Sequence, residues 1–443
     1  MGKTVVVGGG PAGLAAAFTL EKGGAECTVL EKRDFAGGRI YGVVKEGFTL
    51  DFGAQFFFSR YHSTFDLMGR LGIADQIHKF PNPVGILRDG NVHVLYRDLL
   101  DNLKHPSAGL RFGALSSRGK REGFKLGMKM LQLGKKLDFD DPLKAIELDN
   151  ISLADYVRRN FGDEVLEYVL QPVVGALALG DPEDMSAAYG LSLLWYPLPG
   201  LSTVRPGMGF LAESLAKNVS DVRLSTDVKR IVVEDKKVKA VEISKGKKTE
   251  TIECDNVVCT APGDEAAAVL ADLPPAMTDI LGNIKYSACA HVLFAVQHKI
   301  MGDLYAIATP RREGYCLSGV TENANKYSGY APPNCGIMSV FTYGKFGAEM
   351  MTMKDSEIQD KVTKDIQMFM PQFPDDPVFC EVFKWPKAVC LSSPGMITAV
   401  QRLKIATREY EGLHLAGEYL GMPSVEAAVH TGVNAARKIL RST

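Results

Sequence analysis

The chain has no CxxC pair, no HExxH and no HxH grouping, so neither a redox dithiol nor a metal site is written into it. Its eight cysteines (Cys27, Cys254, Cys259, Cys289, Cys316, Cys335, Cys380 and Cys390) are scattered and read as free thiols of a reducing compartment. A run of about 18 apolar residues, the minimum for a transmembrane helix, is absent. The apolar N-terminus has no basic region ahead of it and is broken at once by glycine, which is not a secretory signal. A cytoplasmic location is expected, and the sequons at Asn150 and Asn218 are then chance matches. An excess of charge of one sign is also missing. With 51 basic and 52 acidic residues the net charge is -1, so no overall field draws the protein to nucleic acid. Internal repeats and low-complexity segments are not evident.

What is present is an ordinary globular composition: 443 residues, 46% hydrophobic, enough for two or three domains. The β-branched run TVVV (Thr4–Val7) reads as a buried parallel strand. GGGPAG follows, with Pro11 suited to the first turn of a helix running through Leu20, and ECTVLE (Glu26–Glu31) reads as a second strand. This strand–turn–helix–strand unit opens a doubly wound α/β sheet.

Gly8, Gly10 and Gly13 form GxGxxG at that turn. The first permits the tight turn, the second lets backbone approach a pyrophosphate, and the third lets helix pack close to strand. Backbone N–H groups of Ala12 and its neighbours then face the phosphates. Glu31, with Lys32 beside it, ends the second strand where a carboxylate accepts from ribose hydroxyls and repels a 2′-phosphate. Gly37-Gly38-Arg39 follows, a doubled glycine that exposes backbone amides beside a guanidinium able to meet phosphate. DFGAQFF (Asp51–Phe57) places the small Gly53 and Ala54 where a flat ring can lie against the chain. A second glycine pattern, GMGFLA (Gly207–Ala212), has no strand-like run before it and reads as structural.

Taken together, ExxxxxGGR after GxGxxGL, DxGAQ, VVCTAP and the terminal LAGEYLG…VEAAVHTG resemble the flavin-containing amine oxidase superfamily. Amine oxidases, protoporphyrinogen oxidases and carotenoid desaturases belong to it. The motifs run from residue 5 to residue 436 and so span the chain. The resemblance implies a Rossmann-like FAD-binding domain with an inserted α+β substrate domain and a helical region. It divides the chain into residues 1–80, 203–285 and 390–443 for FAD, 81–99 and 286–389 for substrate, and 100–202 for the helical part. It implies a non-covalent, tightly held FAD. Gly8 to Gly13, Pro11 included, would cradle the pyrophosphate, Glu31 the adenosine ribose, and Arg39 the phosphate. Val228 would meet adenine through its backbone, Ala261 and Pro262 would line the flavin, and Gly417-Glu418 would reach the ribityl and phosphate groups. The helix beginning Val425-Glu426-Ala427 would aim its N-terminus at the flavin C2 carbonyl.

The same resemblance implies hydride transfer to flavin N5 from a C–H bond held in a dry pocket. No nucleophile of the protein is required, and Gln55, His291 and Trp385 are the pocket candidates. Amine oxidases set two aromatic rings at the flavin face and many set a lysine near N5. Here Ala388 and Ser424 fall at the aromatic positions and Ala290 or His291 at the lysine position, which counts against an amine oxidase. Lys387 stands where some relatives attach FAD through cysteine. LQPVVGALALGDPEDMSA (Leu170–Ala187) and the short AGEYLGMPSVEAA loop resemble the protoporphyrinogen oxidase and desaturase branch.

Arg88, in the hairpin-like RDGNVHVLY, reads either as a substrate carboxylate anchor or as a solvated turn residue. Residues 104–136 hold nine Lys/Arg and one acid, Glu122; they read equally as a peripheral membrane contact or as a solvated helical arm. With only Phe112 and Phe124 to stack bases, the stretch is not a nucleic-acid site. The expected activity is an FAD-dependent oxidase or dehydrogenase forming C=C or C=N in a small, largely apolar substrate, with oxygen or a quinone as acceptor. An amine oxidase and a redox-neutral double-bond isomerase stand as alternatives, and a flavin-bound scaffold as a non-enzyme one. Oligomeric state is open, a homodimer being one option.

Overall fold

The computed structural model describes residues 2–81, 83–95, 113–197, 200–246 and 248–442. The opening run does form a strand, Thr4–Val7, whose four side chains are all buried. It lies at the centre of a five-stranded sheet in the order Val222–Arg223, Cys27–Leu30, Thr4–Val7, Asn256–Cys259, Leu413–Leu415. Every pairing in it is parallel, so both faces must be covered and continuous apolar runs are what such strands require. The helix Pro11–Lys22 covers one face together with the terminal helix Val425–Ser442. The apolar stripe of the latter (Ala428, Val429, Gly432, Ala436 and Ile439) is buried.

Antiparallel strands Asp227–Glu234, Lys237–Lys245 and Lys248–Glu253 make the meander that carries Val228. Its register shifts between Val228 and Arg230, a bulge that re-aims the chain at that point. A seven-stranded sheet stands apart from the parallel one. It runs Phe379–Trp385, Cys289–Val296, Gly336–Thr342, Leu317–Glu322, Ala306–Ala308, Val84–Arg88, Asn91–Leu95, and the hairpin read around Arg88 supplies its edge. The amphipathic helix Asp355–Phe369 turns Ile358, Val362 and Ile366 inward. Between the sheets lies a helical region in which Leu166–Leu170 widens to a π turn before Gln171–Leu177. Pro172, which has no N–H to give the ladder, follows that widened turn at once.

Contrary to the sequence expectation, a strand (Leu201–Val204) does precede Gly207. It pairs antiparallel with Phe57–Phe58 and Ile77–Phe80, outside the parallel sheet. A Cβ at Gly209 would fall 2.9 Å from the Gly42 nitrogen. That glycine is there for close packing, as the structural reading held.

Candidate active site

At the carboxyl ends of the parallel strands opens a cavity of about 620 Å³, the place where doubly wound sheets bind ligands. Two of the turn glycines have different reasons to be glycine. A Cβ at Gly13 would sit 1.9 Å from the Gly8 carbonyl oxygen, so the helix could not pack. At Gly10 the backbone is extended (φ -78°, ψ -178°) and a Cβ would meet nothing within 4 Å. Neither strain nor protein packing accounts for Gly10, whereas a phosphate lying against it does. No side chain caps the N-terminus of the helix Pro11–Lys22, which leaves its first-turn donors for an anion.

Around this turn the polar groups converge. Glu31 is buried and accepts from Gly9 N at 2.7 Å and Arg33 N at 2.9 Å, leaving acceptor capacity on both oxygens toward the cavity it lines. Arg39 donates through Nη2 to Glu418 Oε1 at 2.7 Å, joining the doubled glycine to the terminal segment. Burial opposes the Arg39 charge, but the Glu418 carboxylate outweighs it and the pKa moves up. Lys32 and Lys387 both pair with Glu265. Burial would raise the Glu265 pKa, yet the two ammonium groups hold it below the usual carboxylate range. Val228, Ala261 and Pro262 also line this end.

The opposite end is built mostly from apolar, uncharged residues. Val84, Ile86, Ala306–Ala308 and Ser318–Thr321 come from the seven-stranded sheet, with Phe341 beside them, and Pro172, Val173, Ala176 and Leu177 come from the helical region. Gly53, Ala54 and Gln55 form a further stretch of wall, and Phe56 and Tyr305 also line the cavity. Trp385 is both a packed and a lining residue. Its indole N–H donates to Phe52 O at 2.7 Å, and the Arg33 guanidinium stacks on it at 4.8 Å.

A glycine turn with an uncapped helix N-terminus, a buried carboxylate at Glu31 and an Arg39–Glu418 bond to the chain's last segment suit a dinucleotide. Residues 11–440 match the family of flavin containing amine oxidoreductases. The chain belongs to that family. It is an FAD-dependent oxidoreductase, and FAD is held non-covalently.

Coproporphyrinogen III oxidase of Bacillus subtilis (strain 168) is 25% identical over 95% of this chain and 94% of its own length. Zeta-carotene desaturase of Synechocystis sp. is 28% identical over 59% of this chain and 58% of its own. Among solved structures, cyclohexylamine oxidase from Brevibacterium oxydans IH-35A superposes with a TM-score of 0.73 at 18% identity, covering 100% of this chain and 99% of that one. The last similarity is one of fold.

Against the flavin site the sequence candidates divide. Gly8, Gly10, Pro11, Ala12, Glu31, Lys32, Gly38, Arg39, Gly53, Ala54, Val228, Ala261, Pro262, Glu418 and Val425 line the cavity, as do Gln55 and Trp385. Other positions act from behind it. Gly13 packs the helix, Gly37 donates its N–H to Gly9 O, and Gly417 donates to Thr431 Oγ1. Ala427 donates its N–H to Ser424 Oγ within its own helix turn.

Two placements correct the expectation. His291 does not face the cavity. It lies fully buried beneath Phe341, stacked at 4.1 Å, with Nδ1 bonded to Phe52 O at 2.8 Å, and burial pushes its pKa down to about 3. Arg88 is taken by Glu164 and the Ala114 carbonyl, both at 2.7 Å, so it braces the sheet edge against the helical region. The Glu426 side chain accepts from Thr64 N and Oγ1 at the start of the helix His62–Arg70, which leaves the expectation for the N-terminus of its own helix as it was.

Sequence reasoning missed Arg33, Glu265 and Tyr61. It assigned 81–99 and 286–389 to substrate but named none of the sheet side chains that line the cavity, and Leu170–Ala187 pointed only to the helical part of the lining.

Proposed function

We propose that the protein removes a hydride from a C–H bond of an uncharged, largely apolar molecule and leaves C=C or C=N. One observation carries this reading. Among the described residues, the part of the cavity lining that comes from the seven-stranded sheet and from the helix Gln171–Leu177 holds no carboxylate, amine or guanidinium. A charged substrate would have to shed its hydration there with nothing to replace it. An isoprenoid-like or alicyclic molecule fits such a wall more simply than a porphyrinogen, whose carboxylates would have to stay at the mouth. When bound, FAD supplies the two-electron acceptor. The protein's part is to hold the C–H bond in reach, exclude water through Phe341, Ile86, Val320 and Leu177, and support a flat ring on Gly53 and Ala54. The parallel sheet serves FAD and the seven-stranded sheet serves substrate.

An amine oxidase is disfavoured by the same wall. Ala388 and Ser424 border the cavity where that branch sets aromatic rings, and the strand Cys289–Val296 carries no lysine. Anaerobic bleaching of the flavin by a panel of alicyclic or prenyl compounds, porphyrinogens and amines tests the reading. Fast bleaching by the first group is expected. Bleaching by simple amines alone overturns it, and product without bleaching identifies an isomerase. Admitting oxygen or a quinone afterwards identifies the acceptor.

A lipid surface is the proposed route of entry. Of the basic stretch 104–136, residues 104–112 lie outside the described residues; the rest includes the helix Ser117–Leu133. There Phe124, Met128 and Leu131 stand exposed (72%, 47% and 63%) on one face beside Lys125 and Lys135, a pattern suited to an anionic interface. Among the described residues no helix is long and apolar enough to cross a membrane. Sedimentation with anionic vesicles is expected for the wild type and lost in the triple serine variant of Phe124, Met128 and Leu131.

A further inference from the structure

Lys326 is 1% exposed, and a buried lysine is costly unless something holds it there. Its Nζ donates to Gln55 Oε1 at 2.9 Å. The charged and titratable groups facing it are Asp51, Tyr330 with its ring 5.1 Å away, Tyr305 with its ring 5.9 Å away, and, electrostatically, His291. Asp51 in turn accepts from Tyr330 Oη at 2.7 Å and from Met208 N at 2.8 Å.

The consequence falls on Gln55. An ammonium has three donors and no acceptor, so it dictates which end of the amide faces it. Asn323 Nδ2 supports the same oxygen at 3.3 Å. The amide nitrogen is then obliged to point the other way, where it donates to the carbonyls of Asp51 at 2.7 Å and Gly53 at 2.9 Å. Those two bonds pin the Gly53–Gln55 wall. The Gln55 amide is thereby saturated within the protein and is not free to meet substrate.

We propose that Lys326 is a positioning residue for the flavin: through Gln55 it fixes the wall on which the ring lies, and its charge, one layer behind that wall, favours the reduced ring. The proposal rests on the ring lying against Gly53 and Ala54. Charge near the ring is a principal means by which a protein tunes a flavin, and a cation there stabilises the negative charge that reduction brings. Burial pushes the Lys326 pKa down to about 7 while Asp51 holds it up, so the wall loses its positive charge as the pH rises through neutrality. Burial raises the Asp51 pKa, with Lys326 and Tyr330 opposing it. Lys326 lies outside Cys289–Val296, the strand where the amine oxidase lysine was sought.

The test uses the yellow holoprotein and its reconstituted apoprotein. The flavin midpoint potential is followed against pH in the wild type and in the variants, and the difference between them is read, because the reduced ring takes up and releases protons in the same range. In Lys326→Met the potential should be lower than wild type on the acid side, and the difference should shrink as the pH rises through neutrality. FAD should dissociate about tenfold more readily, as for the loss of a charged hydrogen bond. Lys326→Gln keeps a donor but no charge. It should recover much of the FAD affinity and keep the lowered potential on the acid side, and it serves the same comparison if the methionine variant does not fold. A difference that is zero or does not change with pH, or a glutamine variant with the wild-type potential on the acid side, overturns the proposal. Ala54→Leu separates the underlying assumption. If that variant holds FAD with an unaltered visible spectrum, the ring does not lie on this wall. If it disturbs the flavin while Lys326→Met does not, the role of Lys326 alone fails.

Discussion

The two ends of the cavity are made of different material. At the nucleotide end the working parts are backbone turns and a few charged groups: the Gly8–Gly13 turn, Glu31, and Arg39 bonded to Glu418. At the end proposed for substrate they are mostly apolar side chains from separate strands and one helix, Phe341, Ile86 and Val320 among them. Backbone geometry tolerates little, because a turn either admits a phosphate or does not. An apolar wall tolerates exchange as long as volume is kept. The first end is therefore specific in sequence, and the second is specific only in shape.

The sharpest break in this contrast comes from the two glycines. Gly13→Val puts carbon atoms into the Gly8 carbonyl and should abolish folding, read as loss of soluble protein. Gly10→Leu meets no protein atom in the way that Gly13 does, so the apoprotein should fold with near-native melting and yet retain no FAD. Yellow Gly10→Leu protein would falsify the assignment of the opening turn.

His291 lies behind the substrate end, and its pKa is down at about 3 from an ordinary 6.5. Its contribution to stability is complete above pH 6.5 and is lost as the pH falls toward 3. By linkage the loss is on the order of 4–5 kcal/mol. His291→Gln keeps a donor for Phe52 O without a group that titrates there, so it should flatten the acid limb of urea-unfolding stability.

A smaller effect is expected at the apolar wall. Phe341→Ala should weaken steady-state use of an apolar substrate by an amount corresponding to about 2 kcal/mol while leaving the flavin spectrum as it was. If FAD were lost instead, the two ends would not be independent. The least effect belongs to the partly exposed ion pairs. Glu265→Gln should lower stability by less than about 1 kcal/mol, with the difference shrinking in salt. A large loss of FAD in that variant would make Glu265 part of the nucleotide site proper.

Much of the fold was legible because local pattern and tertiary environment agree. TVVV and the helix after Pro11 stand where the local pattern put them, and the terminal helix begins at Val425 as the resemblance implied. Arg88 and His291 were misread for one shared reason. Each is a polar side chain whose partner (Glu164, the Phe52 carbonyl) is distant in the sequence. Residue type announces that such a group needs a partner, and only the packing says which. Lys326 gave no signal at all, since a lysine in TENANKYSGY reads as solvated.

By itself the sequence determined the cofactor end: a doubly wound sheet whose glycine turn, carboxylate and guanidinium are set by short-range spacing, with FAD named by the family resemblance those motifs carry. The tertiary structure alone decided which side chains form the far wall, that Gln55 is locked rather than free, and that a lysine stands behind it. The reason is physical. Spacing along a chain fixes backbone turns, but the face that a strand or loop residue presents depends on the register of strands that meet only in the folded protein.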